Sequence, residues 1–407
     1  MPISQPTLPF NFATHISRRL RWTLYMKIAF VSQLDSKNIQ AWSGTPYFMV
    51  QGLRAQGHDV QEIGPLKPPF PKFFKLLQKA LLILTGKCFD FSRHPLLANS
   101  LSKQALKKMG QDHYDVVVCP SSLVCAGLAT SVPIVTWEDA TFAGMVGYYP
   151  GNWQNFSKTT LAHGHQLQQD SLHRAAVSVF SSEWAAQSAI NNYKVQKEKV
   201  VVIPLGANLI EAPSQAEVFE AIDKRSQTAE CRLLFIGVEW YRKGGDLVVA
   251  TAQALREKGI NATVDVVGCQ PIGAMPSFVR SHGFISKSTA EGRQKLRLLL
   301  LQAHYLFVPS VAECYGLVFA EASAFGVPSL ARATGGIPTA VQNGLNGWAL
   351  GIHESCQSYA TLILTHCEDI ESYKEAAKRA RQFYEERLNW QVAVKALGSK
   401  IDPLVAH

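Results

Sequence analysis

Tyr305-Leu-Phe-Val-Pro-Ser310 leads into Glu313-Cys-Tyr-Gly-Leu-Val-Phe-Ala-Glu321, with Gly326-Val-Pro and Thr334-Gly-Gly-Ile-Pro338 behind it. The first run reads as a buried parallel strand, and Leu317 to Phe325 as a helix that Gly316 opens. Glu313 therefore belongs at the carboxyl end of a strand, just before a helix begins. The first amides of a helix have no partner inside it, and its dipole favours an anion there. A carboxylate beside such a site can accept hydrogen bonds from sugar hydroxyls. A second, Glu321, stands eight residues on. The combination suits a sugar carried on a nucleoside diphosphate.

Outward from this stretch, short β-rich runs alternate with helical patterns, which argues for parallel sheets covered on both faces, an α/β fold. The first lobe offers strands at Lys27–Val31, Asp59–Ile63, Val116–Cys119, Ile134–Thr136, Ser178–Phe180 and Val200–Ile203. The second offers Arg232–Gly237, Thr263–Val267, Gly283–Ile285, Leu306–Val308 and Ser329–Leu330. Thr45 to Gln56 reads as a helix ended by Gly57. A polar stretch near 209–230 reads as the linker. A chain of 407 residues fits two lobes of about 200 residues better than one core.

Composition narrows the class. The hydrophobic fraction of 47% is that of a globular protein, and no apolar run reaches the ~18 residues of a spanning helix. A net charge of +9 points to phosphates or an anionic membrane surface. No nucleic-acid module is visible, so nucleic acid is not expected as a partner. The eight cysteines show no CxxC spacing, which reads as a reduced, cytoplasmic chain without a metal site. Residues 1–25 read as a leader before the first strand, with Met26 as an alternative start and a basic membrane-contacting tail as the other reading.

The Glu313…Glu321 pair, the Gly335-Gly336-Ile-Pro338 loop and Asn343-Gly-Leu-Asn-Gly347 together resemble the retaining glycosyltransferases of family 4. The resemblance covers roughly 26 to 390. It implies the GT-B type of fold, two Rossmann-like lobes facing across a cleft. Residues 26–210 would form the acceptor-binding lobe and 231–385 the nucleotide-sugar lobe. Residues 386–407 would return to the first lobe, with Trp390 as anchor. It also implies that Glu313 contacts the donor sugar and stabilises charge at the anomeric carbon, and that Glu321 receives the ribose hydroxyls. The backbone of Cys314, Tyr315, Gly316 and Leu317 would donate to the diphosphate, and Gly335 and Gly336 would face the same cleft. Family members carry a glutamate where this chain has Thr339.

Gly237-Val-Glu-Trp-Tyr-Arg-Lys-Gly-Gly-Asp246 supplies the cations. Lys243 matches the family's phosphate-binding lysine. Val238 stands where an arginine is expected, and Arg242 is the candidate substitute. The two cation types are not equivalent, because guanidinium clamps phosphate bidentately and ammonium acts as a point charge. In the first lobe, Trp42-Ser-Gly-Thr-Pro46 resembles the family's glycine loop, so Gly44 and Thr45 are donor-site candidates. Ser43 or Thr45 could equally serve as a helix cap. Asp139, after Ile134–Thr136, is the candidate for the acceptor hydroxyl, with a capping role as the alternative. His163 and His165 read as solvated helix residues.

Residues 66–87 hold five lysines and no acid. Lys72, Lys75 and Lys79 fall on one helix face, with Phe73, Leu77, Leu81 and Leu84 nearly opposite. This pattern suits an anionic bilayer surface, or an ordinary amphipathic helix. The activity that the resemblance implies is retaining transfer of a hexose from a nucleoside-diphosphate sugar to a hydroxyl acceptor, a glycan, soluble sugar or metabolite. It needs neither metal nor other cofactor, and takes place in the cytoplasm or at the inner face of a membrane. Alternatives are a membrane-associated lipid glycosyltransferase, a two-lobed epimerase or phosphorylase, and a non-catalytic sugar-nucleotide binder.

Overall fold

The computed structural model describes residues 25–405, so nearly all of the leader reading lies outside the described residues. Two six-stranded sheets, parallel in every pairing, form the frame. The first contains β1 (Lys27–Val31), β2 (Asp59–Ile63), β3 (Val116–Cys119), β4 (Ile134–Glu138), β5 (Val177–Phe180) and β6 (Val200–Val202), in the order 2-1-3-4-5-6. The second contains β7 (Glu230–Ile236), β8 (Asn261–Val267), β9 (Val279–Ser281), β10 (Tyr305–Phe307), β11 (Ser329–Arg332) and β12 (Gly347–Leu350), in the order 12-11-10-7-8-9. Ile28, Ala29, Phe30 and Val31 are all fully buried. Strands covered on both faces read as continuous apolar runs, which is why they were legible.

Each sheet reverses its strand order once, between β1 and β3 and between β7 and β10. At such a switch point the loops leaving the carboxyl ends part and open a crevice. Trp42–Gly44 and Asp139 lie beyond strands of the first sheet, and Arg242, Lys243 and Glu313 beyond β7 and β10 of the second. Four helices matter for function: α1 (Thr45–Ala55), α2 (Pro71–Thr85), α3 (Leu317–Ala324) and α4 (Trp390–Val405). The last crosses back onto the first lobe. The Trp390 ring meets Trp137 edge-on at 5.8 Å, and a Cβ on Gly52 of α1 would come 2.9 Å from Val394.

Several expectations need correction. The strand expected at 283–285 is instead Val279–Ser281, because Val264–Val266 pairs there and Gly283, at φ 62°, turns the chain away. The 209–230 linker contains a helix, Gln215–Ser226, capped by Ser214, whose hydroxyl accepts from Glu217 N at 3.3 Å. Its apolar side is Val218 and Ile222, both fully buried, and its polar remainder hid the period. β12 was not anticipated. Neither Ser43 nor Thr45 caps α1; Gly44 holds that position at φ 88° with no side-chain bond.

The lysine helix also differs in which face it shows. Phe74, Leu77, Gln78 and Leu81 turn toward the body, and Phe74 meets Phe91 at 5.3 Å. Phe73, Leu76, Ile83 and Leu84 stay exposed, from 60% for Phe73 to 83% for Ile83. Of the residues expected opposite the lysines, Leu77 and Leu81 thus turn inward, and the exposed apolar stripe lies beside the lysines.

Candidate active site

Glu313 sits in the loop between β10 and α3, with its side chain 12% exposed. Its carboxylate lies between two cations. Lys243 Nζ is in direct contact with Oε2, and Arg242 Nη1 is 3.5 Å from the same oxygen. Ser310 Oγ lies 3.4 Å from that oxygen, and the Tyr149 hydroxyl 3.5 Å from Oε1. Arg242 is fixed by three further bonds: Nη1 to the Ala312 carbonyl at 2.9 Å, and Nε and Nη2 to Glu239 at 3.0 and 2.9 Å. Val238 is 62% exposed and points elsewhere. Arg242, four residues after Val238, instead lies beside the Glu313 carboxylate.

The sequence explains this geometry locally. Residues Trp240–Lys243 form one short helical turn, stopped by Gly244 at φ 79°. Trp240 is buried and donates to Asp246 at 2.7 Å, which pins the turn. Arg242 and Lys243 then both reach toward β10. Gly316, at φ 89°, caps α3 with no side chain. Around it, the amides of Cys314, Tyr315 and Gly316 find no acceptor among the described residues. Such amides at a helix start are available to an anion.

Not every candidate points into the cleft with its side chain. Tyr315 is buried and its hydroxyl donates to the Leu205 carbonyl at 2.9 Å, a strut between the lobes. The Cys314 thiol is buried against Met145 sulfur, and burial pushes its pKa up. Gly335 and Gly336 face the Glu313–Cys314 backbone, not open space. A Cβ on Gly335 would overlap the Glu313 carbonyl and the Tyr148 hydroxyl, and one on Gly336 the Cys314 carbonyl. Thr339, standing where family members have glutamate, accepts from Glu183 N across the cleft at 3.1 Å.

Glu321 is 3% exposed and contacts Lys287 Nζ, from the loop after β9. Both line a cavity of about 320 Å³ with Ile236, Arg293, Arg297 and Asn208. Its lining includes Glu321 of α3 and Phe325 just after that helix, but not Glu313.

On the first lobe, Trp42, Ser43 and Gly44 take three successive left-handed conformations, at φ 46°, 55° and 88°. Such strain persists only where neighbours over-determine it. Asn208 supplies that: its amide donates to Ser43 O at 2.8 Å while its oxygen accepts from the Trp390 indole at 2.9 Å. The returning α4 therefore braces this loop. The result is that Trp42 Nε1 donates to Asp139 at 3.2 Å. Burial, with the nearby Glu313 charge, raises the Asp139 pKa to about 6 despite the indole bond. Burial pushes Glu138, one residue earlier, to about 7, although Gln168 donates to it at 2.9 Å. Thr45 is fully buried, and its hydroxyl has no partner among the described residues. His165 is exposed at its helix, 3.1 Å from the Tyr193 hydroxyl, and His163 packs edge-on against His94.

Sequence reading missed Tyr148, Tyr149, Trp42, Lys287 and Glu138. Tyr148 is the most telling. Its hydroxyl receives the Glu313 amide at 2.9 Å, reaches the Glu313 carbonyl at 3.3 Å and pairs with Thr334 Oγ1 at 3.0 Å. The Arg242 guanidinium lies over the Tyr149 ring, 5.2 Å from its centroid. The only local signal was the Tyr148-Tyr149 pair itself, in a glycine-rich segment after the Asp139 strand.

Residues 47–210 match the family described as Glycosyltransferase Family 4, and residues 230–369 that described as Glycosyl transferases group 1. The chain is 28% identical over 182 residues to a D-inositol 3-phosphate glycosyltransferase of Nocardiopsis dassonvillei, covering 40% of this chain and 41% of that one. It is 26% identical over 271 residues to an uncharacterized glycosyltransferase of Methanocaldococcus jannaschii, covering 62% and 65%. The chain thus spans less than two thirds of the length of these curated relatives. In fold it is similar to HepE of Anabaena in complex with UDP (TM-score 0.60, 17% identity, 93% of this chain and 100% of that one). It is likewise similar to sucrose-phosphate synthase of Thermosynechococcus elongatus (TM-score 0.64, 16% identity, 93% and 99%).

Proposed function

This chain belongs to the family 4 glycosyltransferases of the two-lobed GT-B fold, and from that premise we propose that it moves a hexose from a nucleoside-diphosphate sugar to a hydroxyl acceptor with retention at the anomeric carbon. The observation that carries this reading is the Glu313 carboxylate held between Lys243 and Arg242, before the start of α3 and across from Asp139. The diphosphate binds at Lys243, Arg242 and the amides of Cys314–Gly316. As the bond to the anomeric carbon breaks, its electron pair leaves with the diphosphate, and these fixed donors take up the charge. The acceptor oxygen bonds to that carbon on the same face, and its proton passes to the departing phosphate oxygen. Glu313 contacts the sugar hydroxyls and stabilises positive charge on the ring. Glu321 and Lys287 receive the ribose end. The cations and amides do the work of a metal, so no cofactor is required.

A thermal-shift panel tests the donor half. UDP, GDP, ADP and their hexose conjugates are added in excess, and one nucleotide class raises the melting temperature. UDP heads the panel because HepE was crystallised with UDP and UDP-glucose. Transfer to a hydroxyl with the donor's anomeric configuration completes the reading. A panel without any shift, or formation of an epimer from donor alone, sinks it.

A second partner is favoured by α2. Its outward stripe of Phe73, Leu76, Ile83 and Leu84 beside Lys72, Lys75 and Lys79 suits an anionic lipid surface, where each near-surface lysine contributes about 1 kcal/mol. Among the described residues no helix is long and apolar enough to cross a membrane. Cosedimentation with phosphatidylglycerol vesicles at low salt, lost on replacing the three lysines by Gln, is expected; wild-type protein that stays in the supernatant excludes this partner.

A further inference from the structure

Beyond the first sheet, a cavity of about 270 Å³ opens between Ser32, Trp42, Arg93, Ser122, Glu138 and Asp139. We infer that it is the acceptor site, and that it selects an uncharged polyol about one sugar ring in size and rejects acceptors bearing a phosphate. The inference rests on the transferase reading for the identity of the reaction, but its content is the chemistry of this cavity.

Charge is the first argument. Two adjacent carboxylates, Glu138 and Asp139, line the cavity. Among the described residues the one cation in its lining is Arg93, whose Nε pairs with Asp90 at 3.1 Å and whose guanidinium lies over the Phe142 ring, 4.3 Å from the centroid. Among the described residues no lysine lines the space. A phosphate placed there would meet two acids against a single cation whose charge is already shared with Asp90, and like charges at close range oppose binding. A polyol suits the same groups. Its hydroxyls donate to the carboxyl groups, which when ionised act as acceptors alone, and accept from the hydroxyls of Ser32, Ser121 and Ser122.

Size and shape agree. The cavity is smaller than the ~300–1,000 Å³ of drug-sized ligand sites. Trp42, Leu34 and Leu123 add apolar surface for the C–H face of a ring. Orientation follows from Asp139, which is held by the Trp42 indole and lies close enough to feel the Glu313 charge. A hydroxyl bound at Asp139 therefore points from the acceptor cavity toward the donor sugar, whereas Glu138, behind it, grips the far side of the ring.

Saturation-transfer NMR on the full chain with UDP added reads weak sugar binding directly. The probes are glucose, mannose, xylose, myo-inositol and sucrose, beside glucose 6-phosphate, mannose 6-phosphate and myo-inositol 1-phosphate. At least one neutral compound binds, and at least tenfold more tightly than its phosphate. Glu138→Gln and Asp139→Asn, which keep shape and remove charge, narrow that ratio to threefold or less. Equal or tighter binding of the phosphates, no binding of any neutral probe, or an unchanged ratio in both folded variants overturns the inference. UDP binding is followed in the same samples by phosphorus NMR. Its loss with sugar selectivity intact would sink the donor reading and leave the cavity assignment standing.

Discussion

Two carboxylate sites face each other across the cleft, and they are built to opposite rules. Glu313 on the second lobe is surrounded by Lys243 and Arg242. Glu138 and Asp139 on the first lobe have an indole, an amide and hydroxyls as partners, and burial raises both pKa values. At Glu138 and Asp139 burial outweighs the hydrogen bonds and disfavours the charged form. One wall of the cleft is therefore prepared for an anion, the other for neutral hydroxyls. In the proposed reaction that asymmetry brings a sugar diphosphate to an alcohol without binding either in the other's place.

The largest effect is expected at the anion wall. Glu313→Gln should lower the turnover number about a hundredfold or more, the scale of losing one preorganised electrostatic group. Nucleotide affinity, followed by thermal shift, should survive. Turnover near that of wild type would remove Glu313 from the reaction. Next comes the clamp. Lys243→Ala and Arg242→Ala should each weaken UDP binding and lower kcat/KM by about ten- to a hundredfold, because charge-assisted bonds to phosphate are the strong ones. A silent Arg242→Ala beside a severe Lys243→Ala would show that Arg242 does not stand in for the arginine absent at Val238.

A third test addresses how the walls are joined. Tyr148 carries no charge to either substrate, yet its hydroxyl holds the Glu313 backbone from the opposite lobe. Tyr148→Phe should lower kcat about tenfold and leave the donor KM nearly unchanged, since misplacement of a reacting group costs rate and not affinity. A rise in KM alone would make Tyr148 part of the donor pocket. The smallest effect is at the neutral wall. Asp139 accepts from the acceptor hydroxyl more strongly when ionised, and its pKa is raised to about 6. Rate should therefore rise with pH, by about fourfold from pH 5.5 to 7, and then level off. Asp139→Asn should remove that rise. A persistent inflection in the variant would assign it to another group.

The two regions also differed in legibility. At the anion wall, the strand, the glycine that opens α3 and the lysine before Gly244 were readable, because each is written within a dozen neighbouring residues. The direction of Arg242 was not, since it depends on Glu239 and the Ala312 carbonyl meeting one guanidinium. At the neutral wall only Asp139 was singled out. Trp42 reaches it across 97 residues, and Tyr148 reaches Glu313 across 165. Neither pairing leaves a periodic trace. α2 gives the same lesson from the surface: its lysines and apolar residues were placed on a helix, but which apolar residues turn inward and which stay exposed was not readable. A helix pattern gives angles between residues, not the identity of whatever packs against them.

Sequence by itself determined the alternation of buried strands and helices, and with it two parallel sheets, because a strand covered on both faces must be apolar throughout. It also determined which glycines, cations and acids stand at strand ends. Only the tertiary structure decided which of those ends meet. The return of α4 to brace the strained loop at Trp42, the placing of Arg242 against Glu313 and the reach of Tyr148 to Glu313 all join residues distant in the chain. Their positions follow from the packing of whole lobes, which no local pattern encodes.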